Sequence, residues 1–264
     1  MMVRSDDAEL YYEVLGQGAP IVLLHPLPAD RGIWKPVAEM LSTRYRVILP
    51  DLRGHGASGL GEGVVTMEKH AGDVLRICRE AGVETAVFAG ISLGGYILFE
   101  LWRRAREQVK GLILCDTRAG ADSEEARRTR LSVAEDVVKR GPDFFFDGMV
   151  PKLLGTTTLA TRPDIAAQVR AMMAKMSAPA VAAVQRGIAA RADSTPTLKT
   201  IDVPALVVVG EEDAVTPVAE AQVMHRGIRG SGLKVIAKAG HVAAFEQPEE
   251  VHRVMRQYLT SMVV

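Results

Sequence analysis

The chain has 264 residues, 48% of them hydrophobic, which is enough for one large α/β domain or for one domain with an insertion. Its 32 basic side chains balance 32 acidic ones, so bulk charge gives no attraction to nucleic acid or to an anionic membrane, and we expect neither as a partner. The apolar runs are too short to cross a bilayer and the first residues contain no apolar leader region, so we expect a cytoplasmic protein.

The first half of the chain alternates predicted strands with predicted helices. Residues 10–15 and 46–49 have strand-like patterns, and residues 21–24 form a continuous apolar run of the kind that is buried on both faces of a parallel sheet. Residues 34–41 fit a helix with one apolar face, and Thr66 is placed to cap a second helix. This alternation predicts an α/β protein with a mostly parallel central sheet and helices on both faces.

A glycine-rich turn at residues 54–59, Gly-His-Gly-Ala-Ser-Gly, matches the pattern of a dinucleotide-binding turn. That pattern requires a helix to begin at once, but residues 60–63 are Leu-Gly-Glu-Gly. No acidic residue ends a strand at the distance that ribose recognition needs, since Asp73 lies inside a helical pattern. We therefore expect a glycine turn without a bound nucleotide.

The most informative stretch is residues 90–95, Gly-Ile-Ser-Leu-Gly-Gly, which joins the apolar run 85–89 to a predicted buried helix at 96–102. A serine at such a strand-to-helix turn adopts a strained backbone and points its hydroxyl outward, and the nearby glycines remove side chains that would clash. The helix N-terminus would direct free N–H groups and a partial positive charge at the site. This context predicts that Ser92 is a nucleophile.

Residues 119–202 differ from the rest of the chain because they show no strand pattern. The helices predicted in this block lie at 123–140, 142–154, 163–176 and 178–193. The block is too long for a connecting loop, so it predicts an inserted helical element. Its basic run at 127–130 lies beside acidic residues and is interpreted as a solvated helix face. Strand patterns return at 205–209 and 233–236, and a last helix is predicted at 248–259.

A serine hydroxyl needs a base that takes its proton and a third group that orients the base. Of the six histidines, His241 is selected because it follows the strand pattern at 233–236 and so lies at the same sheet edge as Ser92. Asp213 also follows a strand, and the order serine, aspartate, histidine along the chain matches one class of serine hydrolases. Asp116 ends another strand at this edge and remains the alternative acid.

An oxyanion hole needs two backbone N–H donors. Leu93, the residue after the nucleophile, supplies the first. The second is expected from the loop after residues 21–24, where Pro26 has no N–H and Leu27 is the candidate. His25 is expected to hydrogen-bond within this loop and to shape it.

Four motifs together resemble those of the α/β-hydrolase superfamily. They are residues 51–58 (Asp-Leu-Arg-Gly-His-Gly-Ala-Ser), 90–95, 210–213 (Gly-Glu-Glu-Asp) and 240–241 (Gly-His). The resemblance covers essentially the whole chain. It implies an α/β-hydrolase core of residues 1–118 and 203–264, with residues 119–202 as an inserted helical cap.

The resemblance also implies roles for single residues. Ser92 would be the nucleophile, His241 the general base and acid, and Asp213 the orienting carboxylate. Leu27 and Leu93 would donate to the oxyanion. The serine at 92 argues against the related dehalogenases and epoxide hydrolases, which use an aspartate at that position.

Two departures from the family pattern bear on the subfamily. Members often have His-Gly where this chain has His25-Pro26, and Gly-His-Ser where it has Gly90-Ile91-Ser92. The enol-lactonase branch is similar in size and layout, but its members tend to carry a tryptophan in the cap. Here the cap has none, since Trp34 and Trp102 both lie in the core segments.

The expected activity is that of an esterase or lactonase, which cleaves small, largely uncharged carboxylic esters or lactones through an acyl-serine intermediate. Carbon–carbon bond hydrolysis, acyl transfer or perhydrolysis by the same triad, and a slow-turnover ligand receptor, are the alternatives. Cys78 and Cys115 lie in apolar patterns and give neither metal spacing nor a disulfide framework. We therefore expect no metal or organic cofactor, a small ester or lactone as the partner, and a monomer or homodimer.

Overall fold

The computed structural model describes residues 1–262 and contains an eight-stranded sheet. Its strands are β1 (Met2–Ser5), β2 (Ala8–Leu15), β3 (Pro20–Leu24), β4 (Arg46–Pro50), β5 (Ala86–Ile91), β6 (Val109–Cys115), β7 (Ala205–Gly210) and β8 (Gly232–Ile236). Their order across the sheet is β1-β2-β4-β3-β5-β6-β7-β8. Strand β2 pairs antiparallel with β1 and β4, and all pairs from β4 to β8 are parallel. The predicted mostly parallel sheet is confirmed.

Strand β1 was not predicted from the sequence. It forms an edge hairpin with β2, with Val3 opposite Leu10, and only alternate residues of its four are buried. One apolar residue on the inner face of so short a strand gives too little periodic signal to be recognised.

Helices cover both faces of the sheet, as expected. They are α1 (Lys35–Leu41), α2 (Met67–Glu80), α3 (Leu93–Ala105), α4 (Glu124–Arg140), α5 (Asp143–Leu153), α6 (Thr156–Thr161), α7 (Pro163–Met173), α8 (Ala178–Ala189), α9 (Thr195–Leu198), α10 (Val218–Gly227), α11 (Ala243–Glu246) and α12 (Pro248–Ser261). Helix α1 packs against α11 and α12, and α2 packs against α3. Thr66 caps α2 as predicted, because its hydroxyl accepts a hydrogen bond from Lys69 N at 3.2 Å. Within residues 1–262, no helix has the length and apolar composition that crossing a bilayer requires.

Helices α4 to α9 lie between β6 and β7, and residues 116–204 contain no strand, as predicted. The helix predicted at 178–193 ends at Ala189, and the short helices α6 and α9 were not predicted. The division into a core of 1–118 and 203–264 and a cap of 119–202 stays a prediction. The last two residues of that core segment, 263 and 264, lie outside the described residues.

The carboxyl ends of the central strands bring distant parts of the chain together. Strands β5 and β7 are buried along their whole length, which explains their continuous apolar sequence. Leu24 lies opposite Gly90 and Ile91 opposite Cys115, so β3, β5 and β6 end at one edge of the sheet. The residues that follow these strands are therefore neighbours in space, and ligands bind at such an edge in open α/β sheets.

Candidate active site

The turn between β5 and α3 holds Ser92 in an unusual backbone conformation. Its φ of 52° and ψ of −109° lie outside the regions that side-chain-bearing residues ordinarily occupy. Ser92 N donates to the carbonyls of Cys115 and Asp116, and Thr117 Oγ1 donates to Ser92 O at 2.9 Å. The end of β6 thus holds the strained turn in place, and strain of this kind is concentrated at functional sites.

The glycines around this turn are required by close packing. A Cβ on Gly90 would lie 2.7 Å from Gly95 N, and one on Gly94 would lie 2.9 Å from the carbonyl carbon of Leu24. A Cβ on Gly95 would lie 2.6 Å from Thr117 Cβ. Helix α3 can approach β3 and β6 only because these three positions have no side chain, which gives the glycine pattern its physical reason.

His241 and Asp213 form a buried hydrogen-bonded pair. His241 Nδ1 lies 2.9 Å from Asp213 Oδ2 and 3.1 Å from Oδ1. The carboxylate also accepts hydrogen bonds from Val215 N, Thr216 N and Thr216 Oγ1, at 2.7 to 2.9 Å. Burial favours the protonated acid, but the charge and hydrogen bond of His241 outweigh it, so the pKa of Asp213 is lowered. A carboxylate here keeps the His241 proton on Nδ1 and leaves Nε2 able to accept one.

Asp116, the alternative acid, is placed differently. It is buried and accepts hydrogen bonds from Gly210 N at 2.8 Å and Ala243 N at 3.3 Å. Within the described part of the chain it makes no hydrogen bond to His241. Burial and the nearby charge of Asp213 raise its pKa well above the ordinary value. The structure brings Asp213 to the histidine, while Asp116 joins the last residue of β7 to the first residue of α11.

Ser92 and His241 line the same cavity, which has a volume of about 70 Å³. Leu27 also lines it, and eight further residues complete the wall: Tyr96, Arg118, Arg130, Phe145, Met149, Gln185, Ile188 and Val215. The Ser92 hydroxyl makes no hydrogen bond to any residue from 1 to 262. Contacts of this kind often tighten only when substrate is bound, so the missing bond does not argue against the predicted role of His241.

The two predicted oxyanion donors have free N–H groups. Leu93 is the first residue of α3, so its N–H has no partner inside the helix. Neither this group nor the Leu27 N–H donates a hydrogen bond to an acceptor in residues 1–262. Leu27 lies in the cavity wall, and Leu93 directly follows Ser92. Their role as donors to an oxyanion stays a prediction.

His25 shapes the Leu27 loop, as predicted. Leu52 N donates to His25 Nε2 at 2.9 Å, so the ring proton is on Nδ1, which donates to Pro26 O at 2.9 Å. Complete burial lowers the pKa of His25 to about 4, because the charged form would lose its hydration. The ring is neutral and has both nitrogens in use, so it is not available for proton transfer at Ser92.

The polar lining of the cavity was not predicted from the sequence. Arg118 is the third residue after β6 and so lies at the sheet edge that was identified, but only Asp116 was considered there. The interpretation of residues 127–130 as a solvated face was wrong for Arg130, which lines the cavity and donates to Gln185 Oε1 at 2.9 Å. Helix α4 packs on α8, and no pattern within α4 alone indicates which of its arginines that contact covers.

The glycine turn at 54–59 is structural. No helix follows it until α2 begins, and Ala57 N donates to Asp51 Oδ2 at 2.8 Å while Ser58 Oγ donates to Asp51 O. The adjacent Arg53 is fully buried and donates to both carboxylate oxygens of Asp73 at 2.7 Å. These bonds organise the loop and leave no nucleotide-binding helix terminus there.

Comparison with known proteins agrees with this geometry. The model of the alpha/beta hydrolase family matches residues 21–254. A structure of a thermophilic esterase from Thermogutta terrifontis, with malate bound, is 41% identical, with a TM-score of 0.94 over 97% of this chain and 94% of that one. The enol-lactonase from Burkholderia xenovorans is 27% identical, with a TM-score of 0.92 over 98% of this chain and 100% of its own. A protein of Azorhizobium caulinodans whose name proposes a carbamate hydrolase is 29% identical over 96% of this chain and 95% of its own. The chain therefore belongs to the alpha/beta hydrolase family, and it is a hydrolase with an esterase and an enol-lactonase among its structural neighbours.

Proposed function

We propose that the protein hydrolyses carboxylic esters or lactones through an acyl-serine intermediate. The observation that carries the proposal is that His241, hydrogen-bonded to Asp213, lines the same cavity as Ser92 on its strained turn. The esterase and enol-lactonase neighbours act on the two bond types concerned, which supports the same substrate classes here.

In the first half of the reaction, Ser92 Oγ attacks the carbonyl carbon of the substrate and His241 Nε2 takes the hydroxyl proton. The N–H groups of Leu27 and Leu93 donate to the oxygen as it becomes negative. His241 then returns the proton to the departing alcohol oxygen, and the acyl group stays on Ser92. In a lactone this oxygen remains tethered to the acyl group.

In the second half, water attacks the acyl carbon and gives its proton to His241 Nε2. The same two N–H groups stabilise the second oxyanion. When the bond to Ser92 breaks, His241 returns the proton to Oγ, and the carboxylic acid leaves. Asp213 accepts the Nδ1 hydrogen bond throughout and stabilises the imidazolium form. These steps require no metal and no organic cofactor.

The helical segment 119–202 is proposed as the cap that selects substrate. Phe145 and Met149 of α5 and Ile188 of α8 form part of the cavity wall, so this segment covers Ser92. A groove of about 780 Å³, lined mostly by the same segment and also by Ala214 and Val215, adjoins the cavity. The two share five lining residues: Arg130, Phe145, Met149, Gln185 and Val215. The groove offers a route by which a small-molecule substrate reaches the serine.

A series of p-nitrophenyl esters of increasing acyl length, assayed on the wild type and on Ser92→Ala, tests the proposal. We expect turnover of short esters and a loss in kcat on the order of 10⁶-fold in the variant. Ser132→Ala, on the exposed face of α4, is the matched control and should keep full activity.

Two results would reject the proposal. One is a wild type that hydrolyses none of the esters and none of a set of lactones. The other is a Ser92→Ala variant that keeps its activity. Product analysis on the active wild type then separates simple hydrolysis from acyl transfer, perhydrolysis and carbon–carbon cleavage by the same serine.

A further inference from the structure

Two arginine side chains enter the cavity that Ser92 and His241 line. Arg118 comes from the loop after β6 and Arg130 from α4, and about a quarter of each side chain is exposed (24% and 23%). No carboxylate of residues 1–262 lines this cavity. Guanidinium groups stay charged at every pH at which a protein remains folded. The two arginines are therefore the permanently charged side chains in the described wall of this cavity, and both are positive.

One buried carboxylate holds the arginines in position. Asp122, whose side chain is 1% exposed, pairs with Arg118, with Arg130 at 2.6 Å and with Arg191 at 2.7 Å. Burial alone would raise the pKa of Asp122, but the hydrogen bond from Arg191 and the charge of Arg130 lower it. The negative charge of Glu220 helps to raise the pKa of Arg118 from a distance, and the two side chains are not hydrogen-bonded. Within this cluster of four side chains, three positive charges share one carboxylate, which leaves an excess of two. Outside the cluster, Glu125 lines the groove that Arg130 also lines.

The excess of positive charge is accompanied by an N–H group of Arg118 that makes no hydrogen bond within the described residues. Nε of Arg118 is buried and has no acceptor among residues 1–262. Arg53, another arginine with a buried guanidinium, differs, because each of its three nitrogens donates to a protein oxygen. A buried charged donor without a partner is rare in folded proteins and calls for a reason. A ligand oxygen that enters the cavity supplies that reason.

We propose that the acyl part of the substrate carries a carboxylate, which Arg118 and Arg130 bind beside Ser92. The inference rests on the proposed function and narrows its substrate class to monoesters of small dicarboxylic acids and to lactones that bear a carboxylate. The remaining wall is largely apolar, with Phe145 and Ile188, which suits a short aliphatic chain between the carboxylate and the reacting carbonyl. The sequence led us to expect a largely uncharged substrate, and the arginine pair revises that expectation.

The test compares an anionic ester with a neutral one of similar shape. Mono-p-nitrophenyl glutarate carries the carboxylate, and methyl p-nitrophenyl glutarate replaces it with an uncharged ester. We expect the wild type to prefer the anionic substrate at least 10-fold in kcat/KM. Arg118→Met should lose at least 10-fold on the anionic ester and less than 3-fold on the neutral one. Arg128→Met, on the exposed face of α4, is the matched control and should change neither.

Equal or greater activity of the wild type on the neutral ester overturns the inference, and this result needs no variant to fold. An equal loss on both esters in Arg118→Met also overturns it. If the wild type hydrolyses neither ester, the proposed function fails, and the binding site is then tested by calorimetry with glutarate on Ser92→Ala. If glutarate binds to Ser92→Ala and the added Arg118→Met substitution weakens that binding 10-fold or more, the carboxylate site is supported. If glutarate does not bind to Ser92→Ala, the carboxylate site is rejected.

Discussion

Asp213→Asn is the substitution that most directly tests Asp213 as the carboxylate that orients His241. The amide oxygen can keep the hydrogen bonds from Val215 N and Thr216 N, which both reach Oδ1. The amide nitrogen then takes the place of Oδ2 and donates toward His241 Nδ1, 2.9 Å away. The histidine must accept at Nδ1 and carry its proton on Nε2, so it cannot take the proton of Ser92. We expect kcat to fall about 10⁴-fold with the fold intact, since a wrong tautomer has an effect of that size in a serine protease.

The size of that loss corresponds to about 5.4 kcal/mol of transition-state stabilisation, at about 1.36 kcal/mol for each factor of ten. The assay is kcat for p-nitrophenyl acetate, with thermal melts to show that the variant is folded. Asp116→Asn is the matched control, because Asp116 is equally buried but contacts the backbone of Gly210 and Ala243 instead of His241. We expect it to lose less than about 10-fold. A variant of Asp213 that keeps a tenth of the activity, or a larger loss in Asp116→Asn, would refute the assignment.

Two further predictions concern pH and packing. Burial lowers the pKa of three histidines below the unfolded value of about 6.5, which keeps them neutral in the fold: His25 (to about 4), His55 (to about 3) and His70. Stability is therefore full above pH 6.5 and is lost as the pH falls toward 4, by up to about 2 kcal/mol per histidine between pH 7 and pH 5 in urea titrations. Gly94→Ala should destabilise by about 1–3 kcal/mol because its Cβ meets the Leu24 carbonyl, whereas Gly72→Ala, in the open middle of α2, should stabilise by about 0.5–1 kcal/mol.

Each of these has a contrary outcome that is easy to recognise. Equal urea midpoints at pH 7 and pH 5 would mean that the buried histidines do not gain protons on unfolding. If Gly94→Ala is as stable as Gly72→Ala, the close approach of α3 to β3 is not what requires a glycine.

Patterns within the chain were sufficient to predict the parallel strands and the meeting of Asp213 with His241. Continuous apolar runs marked the buried parallel strands, and parallel strands place their carboxyl ends at one edge, so residues that follow them were predicted to meet. That logic selected Asp213 and His241, which the structure places 2.9 Å apart. It could equally have selected Arg118, which lies at the same edge, but a nucleophilic mechanism has no role for an arginine and the residue was not considered.

The position of Arg130 could not be read from the sequence for a different reason. Its environment is set by α8, more than fifty residues further along the chain, where Gln185 accepts its hydrogen bond. Neighbouring residues of α4, such as Arg128, point to solvent with 77% of the side chain exposed. Periodicity assigns residues to a face of a helix, but long-range packing decides which face is covered. The lining of a site under an inserted segment therefore needs the tertiary structure.

The turn between α5 and α6 links the proposed cap to the loop that carries His241. Leu153 O accepts a hydrogen bond from His241 N at 2.9 Å. The buried carboxylate of Glu246 accepts from Gly155 N at 2.8 Å and from Gly240 N at 2.7 Å, so it bridges the turn and the residue before the histidine. His241 is therefore held by backbone contacts to the segment that also forms the cavity wall.

The loop of the acid is joined to the same turn. Glu212, directly before Asp213, accepts a hydrogen bond from Thr157 N at 2.8 Å, and both Thr156 Oγ1 and Thr157 Oγ1 donate to it. Residues 153–157 thus contact both His241 and Glu212, the residue before Asp213. A change that moves this turn must shift Asp213 and His241 relative to Ser92, and small errors of position at reacting groups reduce the rate steeply. For this reason, we expect substitutions that alter substrate choice to damage catalysis least when they lie in α4 or α8. Both helices line the cavity, and neither contains the turn that contacts the Asp213 and His241 loops.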